Sequence, residues 1–122
     1  MKTCLIVDDS RVIRTAAGRI VAELGFSVEE ASNGQQALDI CGQRRPDAIL
    51  LDWNMPIMDG MEFLLALPES ADGTKPLVIF CTTESSMEHI QKALEAGANE
   101  YIMKPFDREI LEAKFRQIGL LA

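Results

Sequence analysis

The sequence predicts a doubly wound α/β fold in which five βα units build a parallel sheet with strand order 2-1-3-4-5. Strand-like and helix-like segments alternate along all 122 residues, and this alternation predicts helices on both faces of the sheet. The first, third and fourth strand-like runs are almost wholly apolar, which is typical of strands buried on both faces. The second run contains Glu29 and Glu30 and the fifth begins at Glu100, and charged residues favour edge strands.

Each element has its own signal in the sequence. Short apolar runs predict strands over residues 3–7, 26–31, 47–51, 77–81 and 100–103. Apolar residues three and four positions apart predict helices over residues 11–24, from about 35 onward, 61–67, 84–96 and 107–118. Ser10 is a good N-cap for the first helix, and Gly25 and Gly97 are typical stops for the first and fourth.

Four helices show an apolar face that we expect to be buried. The predicted buried residues are Ile13, Ala16, Ala17, Ile20, Val21 and Leu24 in the first helix, Ala37, Leu38 and Cys41 in the second, Met87, Ile90, Ala93 and Leu94 in the fourth, and Ile110, Leu111, Phe115 and Ile118 in the fifth.

Length, charge and cysteine content narrow the class of protein. We expect one domain over residues 1–122, because this length suits a single core. The net charge of −7 argues against binding to nucleic acid or to an anionic membrane. No apolar run approaches the ~20 residues that span a bilayer, and no signal peptide is visible. Cys4, Cys41 and Cys81 are odd in number and lie in apolar runs, which is typical of reduced, buried thiols. We therefore expect a cytoplasmic protein without membrane insertion. We also expect a monomer.

Acidic residues follow two of the apolar runs, at the point where each strand should end. Asp8 and Asp9 follow the first run, and Asp52 follows the third. In the predicted strand order these two strands are neighbours, and ligands bind at such a switch point beyond the carboxyl ends of the strands. Three adjacent carboxylates repel one another, and Mg²⁺ prefers oxygen ligands. The sequence therefore predicts a Mg²⁺ site, with Lys104 after the fifth run as a second source of positive charge.

Asp52 is the candidate phosphoryl acceptor, because carboxylates form aspartyl-phosphate intermediates. A metal ion and Lys104 would neutralise the phosphoryl oxygens, and Thr82 or Thr83, after the fourth run, could donate a hydrogen bond. Each residue also has an ordinary interpretation: acids and threonines cap helices and turns, and lysines are usually solvated. Their combination at one sheet edge favours the metal and phosphoryl site.

Four motifs in this order resemble the receiver domain of two-component response regulators, a flavodoxin/CheY-like fold. They are V-D-D-S at the acidic pair, L-L-D-W-N-M-P around Asp52, the Thr82 position and K-P-F at Lys104, and the resemblance covers essentially the whole chain. The stretch D-W-N-M-P-I-M-D-G-M-E is most similar to the single-domain chemotaxis regulators.

The resemblance implies a role for each residue of the site. Asp52 would accept a phosphoryl group from a histidine kinase or a phosphotransfer protein. Asp9, Asp52 and the backbone carbonyl of Asn54 would bind Mg²⁺, with Asp8 close by through water. Thr82 and Lys104 would contact the phosphoryl group, and the Lys104–Pro105 bond would be cis.

The resemblance also implies a switch. Thr82 would shift toward the phosphoryl group and Tyr101 would turn inward, changing the surface that the fourth helix, fifth strand and fifth helix present to a downstream target protein. Thr83 stands where many relatives carry alanine or glycine, so it is expected, with Asn54, to tune access to the phosphoryl group. Such a protein catalyses its own phosphorylation and dephosphorylation without being a classical enzyme.

Three alternatives and three outputs stay open. An aspartate-nucleophile phosphohydrolase would usually carry an acid where this chain has Asn54, and a flavodoxin-like cofactor binder would need a phosphate loop that is not acidic. A degenerate receiver would lack site residues that are all present here. The predicted fold uses the whole chain, so we expect output through a partner: a flagellar motor or chemotaxis target, an intermediate relay, or a phosphate sink.

Overall fold

Five strands and five helices alternate along the chain. The computed structural model describes residues 2–68, 75–83 and 87–122, leaving aside the side chain of residue 89. The strands are β1 (Thr3–Val7), β2 (Ser27–Ala31), β3 (Ala48–Asp52), β4 (Leu77–Thr82) and β5 (Glu100–Met103). The helices are α1 (Arg11–Glu23), α2 (Gly34–Gln43), α3 (Gly60–Ala66), α4 (Met87–Glu95) and α5 (Arg108–Gln117). The predicted bounds lie within about one residue of these, except that the predicted start of the fourth helix at residue 84 lies outside the described residues.

The strands form one parallel sheet in the order β2-β1-β3-β4-β5, which confirms the predicted topology. Strand β1 pairs with both β2 and β3, so that Val7 lies opposite Ala31 on one side and Leu51 on the other. The glutamate-bearing strands β2 and β5 lie at the two edges, as predicted. From β1 the chain continues to β2 on one side of the sheet, and from β3 it continues to β4 and β5 on the other side. The switch point therefore lies between β1 and β3, and the two strand ends that carry the acidic residues are neighbours.

Two clusters of buried apolar residues lie on opposite faces of the sheet. Strand β3 contributes to both, because Leu51 belongs to one cluster and Leu50 to the other. The first cluster is completed by α2, α3 and α4, with Phe63 fully buried. The second is completed by α1 and α5, with Val21 and Phe115 fully buried. Burial of the central strands on both faces explains why their sequences are continuous apolar runs.

Local signals set the helix ends. The Ser10 hydroxyl accepts a hydrogen bond from the backbone N–H of Ile13 at 3.3 Å, which confirms Ser10 as the N-cap of α1. Helix α3 begins with a reciprocal capping box between Asp59 and Glu62. Gly25 ends α1 with a φ of +97°, in the left-handed region that glycine adopts without steric cost.

Several predicted core positions are instead exposed to solvent. The predicted burial was wrong for Ile13, Ala16, Met87, Leu94 and Ile110, and Met87 is 76% exposed. The reason is that only a narrow stripe of each helix reaches the sheet: Ala17 and Val21 in α1, Ile90 and Ala93 in α4, and Leu111 and Phe115 in α5. The apolar periodicity of these helices is wider than the stripe that the sheet covers.

The three cysteines agree with the sequence expectation. Cys4, Cys41 and Cys81 are free and buried. Burial raises the pKa of Cys4 to about 12 and that of Cys41 to about 11, which keeps both thiols protonated and unreactive at neutral pH. Within the described part of the chain, no helix combines the length and the apolar character that a bilayer crossing would require.

Candidate functional site

Three carboxylates meet at the carboxyl edge of the sheet. Asp52 is the last residue of β3, and Asp8 and Asp9 directly follow β1. One oxygen of each carboxylate lies within 4.8 Å of the other two. Asp8 and Asp52 are buried, at 4% and 9% exposure, whereas Asp9 is exposed. The pairing of β1 with β3 is what brings the two strand ends to the same place.

Lys104 joins two of these acids. Its ammonium group donates hydrogen bonds to Asp8 Oδ2 at 2.6 Å and to Asp52 Oδ1 at 2.9 Å. Burial opposes the charge on Lys104, but these two bonds outweigh it and raise the pKa of the lysine above its usual value. The Lys104–Pro105 peptide bond that follows is cis. The lysine therefore stays positively charged between the two buried carboxylates.

Burial also acts on Asp52. Removal from water raises the pKa of Asp52 above its usual value, although the hydrogen bond and the charge of Lys104 act in the opposite direction. The neighbouring charges of Asp8 and Asp9 raise the pKa of Asp52 further. The site thus carries more negative charge than its lysine compensates.

The donor set fits a divalent metal ion of the Mg²⁺ type. Three acids and one lysine leave a formal charge of −2 in the cluster, and the ligands on offer are all carboxylate oxygens. Asp8 is already engaged, because its Oδ1 accepts the Ser10 backbone N–H at 2.9 Å and its Oδ2 accepts Lys104. Asp9 and Asp52 are therefore better placed than Asp8 to bind such an ion directly.

Backbone hydrogen bonds hold the loop after β3. The N–H of Gly60 donates to the carbonyl of Trp53 at 3.0 Å, and the N–H of Gly34 donates to the carbonyl of Met58 at 3.0 Å. Between these anchors Ile57 has a φ of +69°, which β-branched residues rarely adopt. Such strain persists where the surroundings dictate the backbone path, so the anchors fix this loop beside Asp52. Asn54 lies in the loop and is exposed.

The other predicted residues lie on β4 and β5. Thr82 ends β4 and is buried, and its carbonyl accepts the backbone N–H of Lys104 at 2.9 Å. Thr83 directly follows and is exposed. Tyr101 lies on β5 opposite Phe80 and is half-buried, with the Lys114 ammonium group 4.9 Å from its ring centroid. Thr82 thus lies beside the acidic cluster, while Tyr101 lies near the start of the edge strand β5, further from the cluster.

Arg14 is a residue of the site that the sequence interpretation missed. Its Nη1 donates to the backbone carbonyl of Asp8 at 2.7 Å, and its Nε donates to Glu30 Oε1 at 3.0 Å. A signal was present in the sequence, because Arg14 lies three positions before Ala17 and seven before Val21, on the buried stripe of α1. A basic residue on such a stripe needs polar partners, and the end of the stripe lies at the acidic loop.

We expect Asp52→Asn to stabilise the metal-free protein at neutral pH. Because folding raises the pKa of Asp52, the folded state holds this proton more tightly than the unfolded state does. The wild type therefore loses stability as the pH rises from the unfolded pKa, about 3.8, through the folded pKa. Asp52→Asn has no carboxyl group to ionise there, so it does not lose this stability. Its free energy of unfolding, relative to that of the wild type, should therefore rise over this pH range by roughly 1.4 kcal/mol for each unit by which folding raises the pKa of Asp52.

Urea unfolding in the presence of a chelator, at about pH 4 and about pH 7, measures this difference. An advantage of the Asp52→Asn variant that is the same at both pH values, or that falls as the pH rises, would contradict the expectation.

Known proteins similar to this chain share one domain. A sequence profile of the response regulator receiver domain matches residues 4–116. The response regulator MprA of Mycolicibacterium vanbaalenii is 39% identical over 114 residues, which are 93% of this chain and 48% of that protein. The chain thus spans about half the length of the curated relatives that it matches.

Solved structures give the same result over nearly the full length. The chemotaxis response regulator CheY4 of Vibrio cholerae superimposes with a TM-score of 0.89 at 34% identity, covering 97% of this chain and 98% of that one. A CheY-like receiver domain protein of Methanospirillum hungatei gives 0.85 at 31% identity, covering 96% and 92%. With the profile match over most of the chain and this agreement in fold, the chain belongs to the response regulator receiver domain family.

Proposed function

We propose that Asp52 accepts a phosphoryl group from a phosphohistidine on a histidine kinase or phosphotransfer protein, in a reaction that requires Mg²⁺. The observation that carries this proposal is the meeting of Asp8, Asp9 and Asp52 within 4.8 Å, with Lys104 bonded to two of them. A cluster of this charge favours a divalent cation and, through it, a phosphoryl group. Membership of the receiver family, whose role is signalling, supports the same chemistry.

The chain's own residues supply most of what the transfer needs. A carboxylate oxygen of Asp52 attacks phosphorus, the P–N bond to the imidazole breaks, and the imidazole leaves with the electron pair. Lys104, whose Nζ lies 2.9 Å from Asp52 Oδ1, is placed to pair with a phosphoryl oxygen as the phosphoryl group moves onto Asp52. Bound Mg²⁺ supplies further neutralisation of the phosphoryl oxygens. Asp9, Asp52 and the Asn54 carbonyl are the proposed ligands, with Asp8 acting through water.

Phosphorylation would then act as a two-state switch. The phosphoryl group adds negative charge and acceptor oxygens beside Thr82, and the hydroxyl of Thr82 is proposed to move toward it. Tyr101, on the neighbouring strand, is half-buried with the Lys114 ammonium group of α5 over its ring, and it is proposed to turn inward. The surface formed by α4, β5 and α5, the α4-β5-α5 face, would change with it.

The α4-β5-α5 face has the features of a docking surface for a downstream target protein. Met87 is 76% exposed, and Leu94 and Ile110 are also exposed, so apolar side chains on α4 and α5 face solvent. We propose that the domain works as a cytoplasmic monomer that binds neither nucleic acid nor membrane. The candidate outputs remain a flagellar motor or chemotaxis target, an intermediate relay, and a phosphate sink.

Trp53 gives a direct test of the proposed chemistry because it directly follows Asp52 and contacts Phe80, with ring centroids 4.8 Å apart. We would follow Trp53 fluorescence while adding Mg²⁺ and then beryllium fluoride, a mimic of the phosphoryl group. We expect a saturable change in the wild type and its loss in Asp52→Asn. A flat response to both additions in the wild type would contradict the proposal and favour a receiver that binds partners without phosphate.

The lifetime of the phosphoryl group should depend on Thr83. This side chain is exposed next to the buried Thr82. We propose that its methyl group narrows the path of an attacking water molecule. We expect Thr83→Ala to speed hydrolysis by roughly threefold to tenfold, which corresponds to at most about 1.4 kcal/mol of activation free energy. Thr83→Ser is the matched control: it keeps the hydroxyl group, so a steric effect of the methyl group predicts fast hydrolysis for serine as well. Equal lifetimes in all three proteins would refute the role of Thr83.

A further inference from the structure

Arg14 connects the acidic loop to the edge of the sheet. It lies in the second turn of α1, with a side chain 16% exposed. Its guanidinium group donates to the Asp8 carbonyl at 2.7 Å and to the Glu30 carboxylate, on the edge strand β2, at 3.0 Å. We propose that Arg14 is a positioning residue that sets the backbone of the acidic loop for Mg²⁺ binding, an inference that rests on the function proposed above.

The geometry explains how one arginine can act on a carboxylate that it does not touch. The Asp8 carbonyl belongs to the planar peptide unit between Asp8 and Asp9, so a donor that fixes this oxygen fixes the plane that leads into Asp9. The Asp8 side chain is already held by the Ser10 backbone N–H and by Lys104. Asp9 is exposed, and the backbone that precedes it is therefore the means by which the fold can orient it.

The charge of Arg14 and its hydrogen bond to the Asp8 carbonyl should have opposite effects on Mg²⁺ affinity. A guanidinium group near a cation site opposes metal binding by repulsion, so removing its charge alone would strengthen Mg²⁺ affinity. Glu30 reduces that repulsion through the ion pair, although the glutamate is 47% exposed and the pair itself adds little stability. If Arg14 orients the loop, its removal weakens Mg²⁺ affinity in spite of the lost repulsion. The sign of the change thus separates the two effects.

The matched pair of variants is Arg14→Met and Arg19→Met. Arg19 lies on the same helix and is exposed, so its replacement removes the same charge without touching the Asp8 carbonyl. Mg²⁺ affinity is obtained from the rise in the free energy of unfolding in urea as Mg²⁺ is added. We expect Arg14→Met to bind Mg²⁺ about tenfold more weakly than the wild type, the size typical of a lost supporting contact. Arg19→Met should bind as tightly as the wild type or more tightly.

A third variant and a kinetic readout separate positioning from a general loss of folding. Arg14→Lys keeps the charge but loses the forked guanidinium group, so a weaker Mg²⁺ affinity in this variant cannot be caused by a change in charge. The same variant replaces Arg14→Met in the comparison if Arg14→Met does not fold. With acetyl phosphate as donor, a positioning role predicts a higher Mg²⁺ requirement and a near-normal rate at saturating Mg²⁺.

The outcomes distinguish this inference from the function on which it rests. If Mg²⁺ does not stabilise the wild type, the proposed function fails. If Mg²⁺ stabilises the wild type, but Arg14→Met and Arg14→Lys bind it as tightly as Arg19→Met, only the role of Arg14 is overturned.

Discussion

Replacing Lys104 with methionine should lower the free energy of unfolding of the metal-free protein by about 3 kcal/mol at neutral pH. The lysine ammonium group lies 2.6 Å from Asp8 Oδ2 and 2.9 Å from Asp52 Oδ1, and none of the three side chains is more than 15% exposed. Methionine fills similar space but leaves two neighbouring buried carboxylates without their cation. Their repulsion and lost hydration then count against the folded state.

The pH and metal dependence of this loss follow from the same contacts. Without Lys104, the pKa of Asp52 loses the two contributions that lower it, so the carboxyl group takes up a proton more readily. The loss in free energy of unfolding caused by Lys104→Met should therefore become smaller as the pH falls. Mg²⁺ should also reduce it, because a bound cation replaces part of the missing positive charge. In the wild type, the contribution of the lysine is present below its unfolded pKa, about 10.5, and is lost as the pH rises through its raised folded pKa.

Lys92→Met is the control for removing a lysine from an ion pair. Lys92 pairs with Glu88 at 3.6 Å on the surface of α4, with both side chains more than half exposed. Its loss should change the free energy of unfolding by less than about 0.5 kcal/mol. Urea unfolding of the three proteins, with chelator and with Mg²⁺, makes the comparison. Similar small effects of the two substitutions would show that the buried acids do not need Lys104 in the folded state.

The fold could be predicted because its signals are local. The apolar runs of β1, β3 and β4 reflect burial on both faces, and Glu29, Glu30 and Glu100 marked the edge strands correctly. The helix faces were less predictable. Met87 and Ile110 follow the apolar spacing of their helices, yet both are exposed, because the width of the sheet decides how much of each helix is covered. That width is a property of the assembled layers and is absent from any single segment.

The residues of the site also differ in how well the sequence predicts them. The meeting of Asp8, Asp9 and Asp52 follows from strand order alone, since β1 and β3 end side by side. The hydrogen bond of Arg14 to the Asp8 carbonyl depends on the position of α1 over the edge strand, which carries Glu30. The spacing places Arg14 on the buried stripe of α1, but it does not identify the carbonyl that the side chain contacts. Residues that support the acidic cluster are therefore harder to predict than the residues that form it.

Gly60→Ala should destabilise the protein by about 2–3 kcal/mol and disturb the site as well. A β-carbon at this position would overlap the backbone carbonyl oxygen of Asp52 and lie 3.0 Å from Cε1 of Phe80. A backbone oxygen in a central strand cannot move aside without moving Asp52. The N–H of Gly60 also donates to the Trp53 carbonyl, so the start of α3 and the end of β3 would have to separate.

Gly42→Ala is the matched control, because a β-carbon there would meet nothing within 4 Å and the residue lies inside α2. We expect this variant to gain about 0.5–1 kcal/mol from the reduced freedom of the unfolded chain. The two alanine substitutions should thus have opposite signs in urea unfolding, and only Gly60→Ala should weaken Mg²⁺ binding. If Gly60→Ala were as stable as the wild type and bound Mg²⁺ equally well, the close approach of α3 would not determine the position of Asp52. If both losses are observed together, the contact that packs α3 onto β3 also holds Asp52, the proposed phosphoryl acceptor, in place.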